Sequence, residues 1–562
     1  MDGNRQLDFT LSLGYILTAL IIAYFYFSPT VINPLFSDIL IVLGVLLLLS
    51  CLIFASVKAR SPRNVVLVLF GIMLFSILAR SIPHLRVAYP PLADPYFYAI
   101  STLNIIDYGT LQPVLGDWYS GVYAHLYWPV MQLFTAAAVK ITGIDSMWFF
   151  RFQEPLLGGI FALTVFALAK EATKNNTIAL LAALIASASD VAIHYQSEYH
   201  PQGFAVISFV LFLYIYLKSR TTARVRYRVL ALACLMVFLM SHHFSSLFVA
   251  LLALAFAGLT YLISILPQRI GKITQVAKEV LADYNLWALI AVAGIGYHIM
   301  IYFSPLSGFI RGFVELEPGA VLLAAGPSVP MFATLLNAAK WGMFLLAAFS
   351  VVKIIRTPRP NEFRLLVLLI CILFAGVMAT YLIRGPVNRM ILFYSPLISV
   401  FAAMTIHKLF TLNKVSLRRT QIIKVATVLI VGLVLTASFF NGFPIPAFYF
   451  KSSQVNSYYW YDNQVPPMDE YKVAGEWTGT YIPSNSRIGT GWFTRTVPFF
   501  FGRRSLSNII FPMRSLTARV DYVMFDPSFP RWYREEPIKL EHDRNLILIY
   551  DNGEMKIYKV LR

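Results

Sequence analysis

The sequence predicts a polytopic α-helical membrane protein that ends in a mixed α/β domain outside the bilayer. Three observations carry that expectation. Hydrophobic residues make up 58% of the 562-residue chain and charged residues only 13%. The apolar residues gather into runs of about 20, the length a helix needs to cross a hydrocarbon core of roughly 30 Å. Beyond residue 440 those runs stop, and short apolar segments alternate with turn residues.

About thirteen spans are expected on this length criterion, near residues 11–28, 37–57, 65–82, 150–169, 177–194, 203–217, 229–241, 245–265, 286–303, 335–352, 365–383, 390–406 and 425–440. The long apolar block at 229–265 is split at "SHHFSS", because one helix of that length would overshoot any bilayer. Alternate connections carry "KARSPR", "KEATK", "KSRTTARVRYR" and "PQRIGKITQVAK", whereas the opposite ones hold few basic residues beyond Arg86, Lys140, Arg311, Arg384 and Arg389. Lysine and arginine mark the cytoplasmic side. The N-terminus is therefore expected inside and the C-terminus outside, in a cell membrane crossed many times. Most of the excess behind the formal charge of +18 lies in short loops of this kind, so membrane lipids and not nucleic acid are the expected partner of the basic residues.

Residues 125–143, "HLYWPVMQLFTAAAVKITG", would reverse every later loop if they crossed, so they are expected to lie in the interface. The membrane domain then covers 1–440, with a large first outer loop at 83–149, and an extracytoplasmic domain covers 441–562. In the latter, "SRIGTG", "VDYVMFD", "NLILIYDNG" and "MKIYKV" read as strands, the last two joined as a hairpin at Asp-Asn-Gly. "DEYKVAGEWTGTYIP" reads as a helix preceding them. Cys51, Cys234 and Cys371 lie inside apolar runs, so no disulfide framework is expected. The start, "MDGNRQLDFT", lacks the basic region and cleavage site of a removable signal, so the first apolar run is expected to be retained.

The chemistry-bearing residues cluster on the expected outer side. In "PPLADPYFYAISTLNIIDYG", Asp94 precedes Pro95, a pairing that suits a helix start and makes Asp94 a cap, with the helix stopping at Gly109. A carboxylate fixed there is also placed to accept a proton. The loop "HYQSEYHPQG" supplies Glu198 and His200, and "SHHFSS" supplies His242 and His243. Such carboxylates and imidazoles would orient a donor or acceptor hydroxyl, or hold a divalent cation such as Mg or Mn; their spacing is not that of a closed zinc site, and no cofactor is required by it. "YLIRGPVNRMILFYSP" places Arg384 and Arg389 against the trend of the outer loops. Their planar donor forks suit a phosphate, and snorkelling to headgroups is the competing role.

An aspartate in the first large outer loop, a multispan core and a trailing α/β domain resemble the GT-C superfamily of membrane glycosyltransferases. "ADPYFYAISTLNIIDYG" is similar to the first-loop motif of that group, which includes the oligosaccharyltransferase catalytic subunit and the aminoarabinose and mannosyl transferases. The resemblance implies that Asp94 is the catalytic carboxylate, that Glu198 stands at the second acidic motif, and that Arg389 stands where a donor-phosphate arginine often lies. It implies a polyprenyl-phosphate-linked sugar as donor and a lipid, glycan or protein as acceptor. The oligosaccharyltransferase signature "WWDYG" is missing, with "YYWYD" and "GEWTG" in its place, so transfer of a single sugar is expected over glycosylation of asparagine sequons. The other functions that this chain would suit are a lipid-linked glycan transporter or flippase, and an oligosaccharyltransferase, ligase or polymerase using a polyprenyl-pyrophosphate donor.

Overall fold

The structure, a computed structural model, describes residues 10, 12–17, 20, 34–85, 94–109, 129–197, 199–222, 224–265, 287, 290–292, 294, 296, 331–357, 359–383, 387–411, 417–441, 468–490, 509–510, 520–525, 545–552 and 555–561. The described helices are, in chain order, α1 Pro34–Lys58, α2 Pro62–Leu85, α3 Asp94–Tyr108, α4 Val130–Thr142 and α5 Ser146–Thr173. Next come α6 Asn176–Ser187, α7 Asp190–Gln196, α8 Pro201–Thr222, α9 Val225–Leu239 and α10 His243–Ile265. Then follow α11 Met331–Arg356, α12 Pro360–Ile383, α13 Val387–Phe410, α14 Leu417–Asn441 and α15 Met468–Tyr481. The strands are β1 Ile488–Thr490, β2 Ile509–Ile510, β3 Tyr522–Phe525, β4 Leu546–Asp551 and β5 Lys556–Val560.

Among the described residues six helices are long and apolar enough to cross a membrane, and the bent pair α6 and α7, taken as one span, brings the number to seven. Eleven of the expected spans coincide with described helices, whereas the first and the ninth fall largely outside the described residues. The chain divides into two compact units, Met1–Arg86 with Phe152–Asn456, and Val87–Arg151 with Ser457–Arg562.

The first unit is an all-helical bundle. Within it α8 packs on α9, α13 on α6 and α11, α10 on α12, and α14 on α1 and α11. Four phenylalanines tie four of these helices together. Phe248 of α10 stacks on Phe393 of α13 at 4.9 Å between ring centroids. Phe209 of α8 meets Phe238 of α9 at 5.0 Å and the edge of Phe393 at 5.8 Å. Offset and edge-on pairs of this kind add about 0.5–1.5 kcal/mol each beyond their buried area, which matters where lipid weakens the hydrophobic drive between helices.

One expectation needs correction here. The span expected as a single helix at 177–194 is broken after Ser187, and α6 and α7 meet at 61°. At the break the Asp190 side chain takes a backbone N–H of its own, as short polar side chains do at helix starts. Ser189 is extended (φ −65°, ψ 130°). The freed Asp190 N–H donates to Ser438 Oγ on α14 at 3.0 Å, while Asp190 Oδ1 accepts the Val191 N–H at 2.9 Å. At the start of α6, the Asn175 side chain caps the Ile178 N–H at 3.1 Å.

The second unit holds α3, α4, α15 and the sheet. Helix α3 runs from Asp94 to a stop at Gly109, which takes the left-handed conformation (φ +67°) with its N–H on Ile105 O at 3.0 Å. Helix α4 packs on α3 and ends the same way at Gly143 (φ +68°). Its 13 residues make roughly 20 Å at 1.5 Å per residue, short of a bilayer core. The sheet has the order β2-β1-β3-β5-β4, with β1 parallel to β2 and β3, and β5 antiparallel to β3 and β4. The β4–β5 hairpin closes through Asn552, whose Oδ1 accepts the Met555 N–H at 2.8 Å. Trp477 of α15 lies 4.8 Å from the Tyr550 ring and seats that helix on the sheet.

Candidate functional site

A buried polar cluster occupies the end of the first unit at which α2 and α7 finish and α8 begins. Its centre is Arg80, fully buried near the end of α2. The Arg80 Nε–H donates to Gln196 Oε1 at 2.8 Å, and Nη1 donates to Ser76 O at 3.0 Å, Ser76 Oγ at 2.9 Å and Ser187 O at 3.1 Å. Ser187 is the last residue of α6 and Gln196 the last of α7. One guanidinium thus serves a carbonyl left open by the helix break and fixes the far end of the segment after it, with a cation at the C-terminal end of α6 where the helix dipole favours one. The helix carrying Glu154 comes close to α2 here: a Cβ at Gly158 would overlap the Arg80 side chain, and Gly158 O accepts the Ser76 hydroxyl at 2.7 Å.

Glu154 lies beside this network, 1% exposed. Neither of its oxygens meets the geometry of a hydrogen bond among the described residues, and the Gln153 amide and the Arg80 guanidinium are among its electrostatic partners. Its carboxylate faces the first turn of α8, where the absence of a side chain at Gly203 makes room for it. Gln202, fully buried on the same turn, has no partner for either side-chain polar atom among the described residues. A buried carboxylate and amide so placed are costly unless something binds them.

The imidazoles stand around the α7–α8 and α9–α10 connections. His200 and His242 are buried, with ring centroids 5.9 Å apart. His200 Nδ1 accepts the Gln202 N–H at 3.2 Å, which leaves the proton of the neutral ring on Nε2. Tyr195 lies edge-on to both His194 and His200. His84, at the end of α2, is buried against Phe152 and hydrogen-bonds to Ser197 O. These groups link the ends of α2, α7 and α8, the start of α5 within this unit, and the turn before α10.

Of the residues singled out from sequence, His200 and His242 are brought together in this cluster. His243 is the first residue of α10 and Arg389 the third of α13, both placed by their backbones alone. Glu198 and Arg384 lie outside the described residues. Asp94 opens α3 in the second unit, as its place before Pro95 leads one to expect; Asp107, fourteenth in the same helix, is exposed. No group of three or more histidine, cysteine, aspartate or glutamate side chains suited to a metal occurs among the described residues. Sequence reasoning missed Arg80, Glu154, Gln196 and Gln202. Arg80 and Glu154 did carry a signal, since an ionisable residue inside an apolar span marks a functional or structural polar site.

No protein-family profile matches the sequence, and no curated protein matches it as a relative. Among solved structures the fold matches the oligosaccharyltransferase of Archaeoglobus fulgidus tethered to an acceptor peptide with an NVT sequon, at a TM-score of 0.53 and 14% identity over 82% of this chain and 69% of that one. The same enzyme in complex with zinc and sulfate matches at a TM-score of 0.51 and 12% identity, over 82% and 67%. ArnT from Cupriavidus metallidurans bound to undecaprenyl phosphate aligns at a TM-score of 0.49 and 12% identity, over 89% and 98%. The oligosaccharyltransferase and ArnT are GT-C membrane glycosyltransferases. At these identities the likeness to the oligosaccharyltransferase is one of fold: the chain shares the fold of a GT-C membrane enzyme.

Proposed function

Proceeding from that shared fold, we propose that this chain is an inverting glycosyltransferase that moves a hexose or pentose from a polyprenyl-phosphate donor to an acceptor hydroxyl at the outer membrane face. The observation that carries the proposal is the fold match to a membrane glycosyltransferase by a chain whose helix α3 begins at the motif aspartate Asp94. In the reaction the acceptor oxygen attacks the anomeric carbon while Asp94 takes the hydroxyl proton. The bond from that carbon to the phosphate oxygen breaks, and the lipid phosphate leaves with the electron pair. General-base assistance of this type contributes about 10²–10⁴ in rate. The leaving phosphate needs its charge stabilised, a role for Arg384 and Arg389. Glu198, His200, His242 and His243 would orient the donor or acceptor, with a Mg or Mn ion as their optional partner. The acceptor is a lipid, glycan or protein. In this reading residues 1–440 form the membrane domain with the N-terminus cytoplasmic, and 441–562 form the extracytoplasmic domain.

The fold match to an oligosaccharyltransferase favours one second reading, transfer of an oligosaccharide from a polyprenyl-pyrophosphate. A single assay separates the two. Purified protein is incubated, without any ion gradient, with synthetic polyprenyl-phosphate and polyprenyl-pyrophosphate sugars and a mixed acceptor pool. Turnover of the monophosphate donor with inversion at the anomeric carbon is expected. Turnover of the pyrophosphate donor alone would transfer the assignment to the second reading, and no transfer from either donor would leave a transporter or flippase as the better account.

A further inference from the structure

The hairpin of α8 and α9 gathers positive charge that the proposed reaction does not use. Between 218 and 228 the sequence holds Lys218, Arg220, Arg224, Arg226 and Arg228 and no acidic residue. The two helices pack on one another, α8 ending at Thr222 and α9 starting at Val225, so the turn folds these charges together. The Lys218 ammonium donates to the Tyr214 hydroxyl at 3.3 Å and lies 5.6 Å from the centre of that ring. It also lies 5.9 Å from the centre of the Tyr227 ring, over which the Arg226 guanidinium stands at 5.0 Å. Two cations thus share one aromatic ring. Arg224, Arg226 and Arg228 are exposed, and among the described residues no carboxylate forms a salt bridge with them or with Lys218. Glu171, the carboxylate that acts on Lys218, already accepts from the Lys174 ammonium and the Thr221 hydroxyl. Like charges held this closely repel one another, and an anion bound among them would offset the repulsion.

The surface beneath the charges indicates what carries that anion. Along α9, Arg226, Val229, Leu230, Ala233 and Val237 recur at the spacing of one helix face, and all are exposed. Ala231, Leu235 and Phe238, on the other face, are buried. Val229 is 62% exposed and Leu230 48%. From Arg226 to Val237 this face descends about 16 Å at 1.5 Å per residue, roughly the acyl depth of one leaflet. Arg226 therefore stands at headgroup level above a stripe suited to hydrocarbon, with Tyr227 at the depth that tyrosines favour. A soluble anion would meet the cations and leave the stripe bare. An anionic phospholipid meets both, its phosphate on the planar donor fork of the arginine and its chains on the stripe.

We propose that the α8–α9 hairpin binds the phosphate of an anionic phospholipid between Lys218 and Arg226, with the acyl chains along the exposed stripe of α9. The site uses none of the residues assigned above to sugar transfer and is read without turnover. The test places the full-length protein in phosphatidylcholine nanodiscs with a trace of phosphatidylglycerol that bears a photoreactive diazirine on one chain. Labelled residues are mapped by peptide mass. A parallel sample carries the diazirine on phosphatidylcholine, whose headgroup has no net charge. Label on α9 should favour phosphatidylglycerol by about fivefold or more, the factor expected for one surface cation acting on one anionic head. The double substitution Lys218→Gln and Arg226→Gln should erase that preference, whereas Arg356→Gln, exposed at the end of α11, should leave it intact. Glycerol 3-phosphate added to the solution should not reduce the label. Melting in detergent checks that the double variant folds, and Arg226→Gln alone carries the test if it does not. Equal labelling by the two lipids, a preference that survives the substitutions, an equal loss in Arg356→Gln, or displacement by glycerol 3-phosphate would each overturn the proposal.

Discussion

At the residue scale the proposed chemistry rests on Asp94 and the two arginines, and substitutions can separate their catalytic role from the bland one. Asp94 opens α3, so it could serve only as a helix cap. Asn caps about as well as Asp, and Asp94→Asn should therefore leave melting in detergent nearly unchanged. It removes the proton acceptor, and transfer should fall by about 10² or more. Asp107→Asn, near the other end of α3, should cost far less. Near wild-type turnover in a folded Asp94→Asn protein would reduce Asp94 to a cap. Arg389→Ala should raise the apparent KM for the lipid donor or lower kcat, and Arg389→Lys should recover only part of the loss, because a point charge replaces a planar fork. Full activity of Arg389→Ala at limiting donor would pass the phosphate role to Arg384. The start of α3 at Asp94 was legible from sequence because its signal is local, an aspartate followed by a proline. Arg80 and Glu154 were not, because their meaning lies in partners far along the chain, such as Gln196 for Arg80 and Gly203 for Glu154.

At the element scale, what could be read was what depends on neighbours in sequence. The ends of α3 and α4 follow from glycines in the left-handed conformation, the break before α10 from polar residues within an apolar block, and β4–β5 from a turn dipeptide. The break between α6 and α7 escaped because apolar residues resume beyond it, and the groups that make it tolerable include partners far along the chain, the Ser438 acceptor on α14 and the Arg80 donor on α2. Strand β2, two residues long and dependent on β1 for its pairing, has no pattern of its own. The close approach of α8 to Glu154 gives a test at this scale. An added Cβ at Gly203 would overlap the Glu154 carboxylate and stand 2.9 Å from Tyr195 O, whereas one at Gly258 on α10 meets nothing within 4 Å. Overpacking of this kind costs about 1–3 kcal/mol, so Gly203→Ala should lower Tm. Gly258→Ala should leave it unchanged or raise it, since alanine is the better helix former by roughly 1 kcal/mol. Combining Gly203→Ala with Glu154→Ala should recover part of the loss. If Gly203→Ala melts with the wild type, the close packing of α8 on Glu154 is wrong.

At the scale of the whole molecule, helix placement was legible because the bilayer imposes one length on every span, and the described helices fall where the apolar runs do. The division into units was not legible in the same way. The segment 87–151 groups with 457–562 through contacts distant in sequence, and hydropathy carries no record of such pairings. Orientation is the property on which the proposed chemistry depends most, since a lipid-linked donor and Asp94 must meet on one face. It is argued from charge alone: the end of α8, the connection after it and the start of α9 carry Lys218, Arg220, Arg224, Arg226 and Arg228, and a cluster of this density favours the cytoplasmic side. The 13-residue length of α4 supports the same threading, because a further crossing there would carry that cluster outside. Reporter fusions after Arg228 and after Phe410 should therefore report cytoplasm, and a fusion after Ser452 the outside. An external signal at Arg228 would mean that 125–143 crosses the bilayer after all; the basic loops would then face outward, and Asp94, Arg384 and Arg389 could no longer serve one reaction on one face.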